Sequence, residues 1–138
     1  MKPSFDETKA GVPGWWPHTI RPVRAAGGVA WHRSLWLPEG TQAYSRDAAV
    51  VSIEVAETAS ADEAGRVALQ LANECEIPAL EHSEMVGDRA YTGPGGVPAI
   101  FTRGRFAVCV MQAERAGVPV LDVARALDTH LAGLAAGA

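Results

Sequence analysis

The residues best equipped for chemistry are four histidines, two cysteines and a concentration of tryptophan and basic side chains near the start of the chain. None of His18, His32, His82 and His130 lies near another histidine, or near Cys75 or Cys109, at the roughly two- to five-residue spacings that zinc ligands use. No His-Glu-x-x-His or Gly-x-Ser-x-Gly string occurs either. The sequence therefore predicts no metal and no cofactor, and it designates no catalytic residue. His82 sits between Glu81 and Glu84, where carboxylates would raise its proton affinity or offer oxygen ligands, although a solvated connection explains the same residues. His130 falls near the end of a helical stretch, a place where histidine caps as readily as it catalyses.

Trp15, Trp16, His18, Trp31, His32, Arg33 and Trp36 are the candidate ligand- or partner-binding residues. Tryptophan and arginine anchor many binding patches, because they combine a large apolar area with a polar handle. The competing reading has Trp31 and Trp36, on opposite faces of one strand, filling a core and packing a leader segment. Arg103-Gly104-Arg105 pairs two guanidinium groups with a turn that can hold an anion; a hairpin flanked by solvated arginines accounts for it equally. Gly93, Gly95 and Gly96 lack the lysine and helix start of a phosphate loop. Cys75 and Cys109 both fall in apolar stretches, the setting of unreactive buried thiols, and a bond between them depends on how their elements cross.

These residues need elements to position them. Residues 1–19 show no sustained period and read as an irregular N-terminal arm, with Trp15-Trp16 docking on the rest of the molecule. A meander follows: strands over 20–24 and 29–37 around Gly27-Gly28, then Pro38-Glu39-Gly40 as a turn and a short strand over 41–45. Strands are predicted at 48–56, 85–91 (interrupted by Gly87-Asp88), 99–103 and 105–113. Ser60-Ala61-Asp62-Glu63 is a capping box opening a helix over 60–75, whose stripe is Ala64, Val67, Ala68, Leu71, Ala72 and Cys75. A second helix covers 118–134, with Pro119 in its first turn. Phe106 to Met111 is apolar on both faces, as in a central strand covered twice, or covered once and completed by a partner.

The expected fold is α+β: an antiparallel sheet with two amphipathic helices packed on one face, a two-layer sandwich, preceded by the irregular arm. Residues 20–138 form a single domain. The order β-α-β-β-α resembles a ferredoxin-like unit lacking its last strand. Gly87-Asp88 through Phe101, Arg103-Gly104 and the closing helix resemble the ends of several bacterial domains of unknown function, some exported. No functional residue carries over from that likeness.

With 138 residues, 48% of them apolar and 20% charged, the chain has the composition of a folded globular domain. Its formal net charge of −4 gives no attraction to nucleic acid, and no run reaches the roughly 18 apolar residues of a transmembrane helix. A cytoplasmic location is expected, while an exported protein stripped of its signal would read the same. The expected function is a non-catalytic binding or accessory module that contacts a protein partner or small molecule through the arm and meander, with the sheet open to homodimer pairing. The alternative is a small cofactor-independent lyase or isomerase using His32 and Arg33, or His82 and Glu84, in a cleft between sheet and helices.

Overall fold

A computed structural model of the chain describes residues 5–41, 49–77, 86–93, 97–112 and 119–136. After a 3-10 turn at Glu7–Lys9, the elements are β1 (Trp15–Ile20), β2 (Arg24–Ala26), β3 (Val29–Pro38), β4 (Val51–Glu57), α1 (Ala61–Glu74), β5 (Arg89–Thr92), β6 (Ala99–Arg103), β7 (Phe106–Gln112) and α2 (Val120–Ala136). The strands form one sheet in the order β1-β3-β4-β7-β6-β5, with β2 also on β3, and every pairing is antiparallel. The parallel strand pair of a ferredoxin-like unit is therefore not formed. No helix among the described residues is long and apolar enough to cross a membrane.

The α+β class, the antiparallel sheet and both amphipathic helices stand as expected. The arm is irregular apart from its 3-10 turn until Trp15, where it joins the sheet. The strand expected over 20–24 is instead split into β1 and β2, which share the same edge of β3 on either side of Pro22. Proline has no N–H to give a ladder, and Pro17, inside β1, sits on an edge strand at a shift of register, where that loss is tolerated. Gly27 and Gly28 both take positive φ (59° and 80°), the two-residue hairpin turn that the pair promised. The short strand expected over 41–45 lies almost wholly outside the described residues, as do His82 and its flanking glutamates.

One expectation is corrected: the helices lie on opposite faces, giving three layers rather than two. Val120, Val123, Ala124, Leu127 and Leu131 of α2 pack with Val51, Ile53, Val55, Phe101, Phe106, Val108 and Val110. Ala64, Val67, Ala68, Leu71 and Ala72 of α1 pack instead with Ala56, Ile100, Ala107 and Cys109. Alternating side chains point to opposite sides of a strand, and Phe106 to Val110 are all buried. A helix is about 10 Å across, roughly two strand spacings, so one helix over each side of β7 accounts for both of its apolar faces without a partner.

The start of α1 follows its sequence closely. Ser60 Oγ accepts from the amide of Glu63 at 3.2 Å, while the Glu63 carboxylate reaches the amide of Ala59 (3.4 Å), one residue earlier than the expected return bond. On the α2 side, the sheet area that α2 leaves uncovered is closed by the arm: Phe5 and Val12 are buried in the same core as Trp36 and Ile53. On the α1 side, α1 lies over β5, β6 and β7 and only touches β4. That leaves the α1 side of β3 without a helical cover.

Candidate functional site

The uncovered side of β3 is a cleft. Trp31, Arg33, Leu35 and Leu37 point to the α1 side, and His32, Ser34 and Trp36 to the other. Two adjoining hollows of about 240 and 270 Å3 run along this side and share Arg33 and Glu54. Ser52 and Glu54 of β4 extend the floor, Arg21, Pro22 and Arg24 form one wall, and Gln70 and Glu74 of α1 form the other. Glu54 stands opposite Arg33 in register, and its Oε1 lies 3.6 Å from Arg33 Nε. Because the Arg33 side chain is 63% exposed, that pair is screened by water and holds the guanidinium only weakly.

Trp31 and Arg33 thus come together as candidate binding residues, half-buried indole beside exposed guanidinium. Trp16 and His18 lie on the same side further along the sheet. Their rings meet edge to face at 5.1 Å, Trp16 packs on Leu37 and Val50, and its Nε1 donates to the carbonyl of Thr41 at 3.1 Å. His18 Nδ1 is 3.0 Å from Thr19 Oγ1.

The other three candidates face away from the cleft. Trp36 is fully buried and its Nε1 donates to Ser34 Oγ at 2.8 Å, so it is a core residue. Trp15 packs half-buried against the α2-side core. His32 is 5% exposed and acts as a clasp for the arm: its Nε2 is 3.2 Å from Glu57 Oε1, which also accepts from the amide of Phe5 at 3.0 Å. The Phe5 ring meets the imidazole edge to face at 5.4 Å. Glu7 Oε1 is 3.8 Å from His32 Nδ1, and neither atom has a hydrogen-bond partner among the described residues. Arg105, also buried, brings Nη2 to 3.8 Å from Glu57 Oε2.

The anion reading of Arg103-Gly104-Arg105 is superseded by the protein's own carboxylates. Arg103 Nε and Nη2 donate to Asp128 at 2.7 and 2.9 Å, and its Nη1 donates to Asp88 at 3.0 Å. The Gly104 amide donates to Asp88 at 2.8 Å. The hydrogen bonds to Asp128 raise Arg103 above its already high ordinary value, and they tie α2 to the β6–β7 turn.

Comparison of the chain with known protein families, curated proteins and solved structures finds no match in any of the three. The cleft has to be understood from its own residues. Three arginines (Arg21, Arg24 and Arg33) face two glutamates (Glu54 and Glu74) around a flat indole, in a chain whose overall charge is negative. A guanidinium fork is suited to carboxylate, and the indole offers a plane for stacking. No histidine or cysteine is among the described lining residues. Sequence reasoning missed Arg21, Arg24, Glu54, Gln70 and Glu74. The recurrence of arginine at 21, 24 and 33 was a visible signal, but that they share a side depends on β2 folding back along β3.

Proposed function

We propose that the protein is a non-catalytic binding module that receives a carboxylate-bearing small molecule or acidic partner segment in the cleft of Trp31, Arg33, Arg21 and Arg24. The observation that carries this reading is the exposed Arg33 guanidinium beside the Trp31 indole, on the part of the sheet face that α1 leaves uncovered. The arm contributes Trp16 and His18 at the far end of that face and otherwise serves the core. A histidine-based lyase or isomerase would require the arm to lift from His32, because Phe5 and Glu7 occupy the space before its ring.

Isotope-edited NMR tests the proposal. Titration with an aryl carboxylate such as benzoate, and separately with a glutamate-rich peptide, is expected to shift the Trp31 indole N–H and Arg33 Nε–H signals saturably, and less so at high salt. Arg33→Ala and Trp31→Ala are each expected to weaken that response about tenfold, near 1.4 kcal/mol. Unmoved signals at millimolar ligand, or shifts indifferent to both substitutions, would remove the proposal.

A further inference from the structure

The two cysteines, distant in sequence, are neighbours in the fold. Cys109 stands on β7 with its side chain on the α1 side, within the apolar cluster against which Cys75 packs. Cys75 caps the C-terminus of α1, its amide bonded to the Leu71 carbonyl at 3.0 Å. The helix end is pinned by the bonds Glu76 N to Asn73 O and Ile77 N to Ala72 O, both 3.1 Å, so the Cys75 backbone has a fixed position. Cys109 is 6% exposed, Cys75 is half-buried, and both are free thiols. A half-buried cysteine therefore stands beside an enclosed one.

We propose that Cys75 and Cys109 are a redox-active dithiol that closes to an intramolecular disulfide when a low-molecular-weight disulfide, such as oxidised glutathione, reaches Cys75. The Cys75 thiolate attacks one sulfur of the small disulfide, whose S–S bond breaks and releases one thiol. Cys109 then gives up its proton and attacks Cys75 Sγ in the mixed disulfide, displacing the second thiol. Two protein thiols are oxidised to one disulfide and the small disulfide is reduced to two thiols. Burial, reinforced by the adjoining Cys75 thiol and by Glu54, raises the Cys109 thiol well above its ordinary range. The second step accordingly quickens as pH rises.

The experiment treats the full chain with oxidised glutathione and follows intact mass and a non-reducing peptide map. The expected product has lost two hydrogens, carries no glutathione and links the Cys75 and Cys109 peptides within one chain. Cys109→Ser and the apolar Cys109→Ala are both expected to stop at a stable glutathione adduct on Cys75, and Cys75→Ser to react at least tenfold more slowly than the parent. A parent protein that accumulates the Cys75 adduct, remains unreacted, or links only between chains overturns the proposal.

Discussion

Glu76 and Gly87 hold the same kind of backbone, with φ of 55° and 69°, but only glycine takes that conformation without strain. Glu76 occupies the position after the α1 cap where helices commonly place glycine. Glu76→Gly is expected to stabilise the protein by about 1 kcal/mol, the left-handed penalty less the added freedom of the unfolded chain. At Gly87 a Cβ would lie 2.4 Å from the Thr102 carbonyl oxygen and 2.8 Å from the Phe101 ring. Gly87→Ala is therefore expected to cost about 3 kcal/mol or more. Urea midpoints measure both, and a shift of the same sign in the two variants would contradict the argument. Residue burial was partly legible: alternation along β3 correctly sent Trp36 and His32 to one face and Trp31 and Arg33 to the other. It could not show that His32 would be sealed in, because the seal comes from Phe5 and Glu7, far away in the chain.

At the scale of elements, the first helix was readable from a capping box and an apolar stripe and the second from Pro119 in its first turn, yet such signals do not say which side of a sheet a helix will cover. The doubly apolar β7 held that information, since one helix cannot shield two faces. Strand β1 was hidden by Trp-Trp-Pro, which has no clean period because its proline sits at a register shift. The packing of α2 against the arm leaves a pH signature. Burial beside Phe5 holds His130 below its ordinary 6.5, with Asp6 opposing the shift. A lowered histidine binds its proton more readily in the unfolded chain. Its neutral form thus contributes stability fully above pH 6.5, and that contribution is lost as pH falls toward the folded value. Asp6, held below its ordinary 3.8 mainly by hydrogen bonds from Thr8, matters only in more acidic solution. Between pH 7.5 and 5.5 the urea midpoint is expected to fall less in His130→Gln than in the parent; equal falls would refute the assignment.

Across the whole molecule, the two apolar layers meet in a shared strand. Phe106, Val108 and Val110 of β7 belong to the α2-side core, and Ala107 and Cys109 to the α1-side core, so neither layer can melt and leave the other its floor. Tryptophan fluorescence, to which the enclosed Trp36 contributes, and the exposure of the Cys109 thiol to a chromogenic reagent are expected to change at one common denaturant midpoint. Separate midpoints would show the layers to be independent. Three layers instead of two was the largest departure from the sequence reading, and its one local sign was the apolar character of both faces of β7.

The docking of Phe5 and the course of α2 on one and the same side also has a practical meaning. An anchor attached through the exposed side of α2, around Thr129, would sit behind the arginine-lined face. A protein held there would present Trp31 and Arg33 outward, ready for a sensor chip to read.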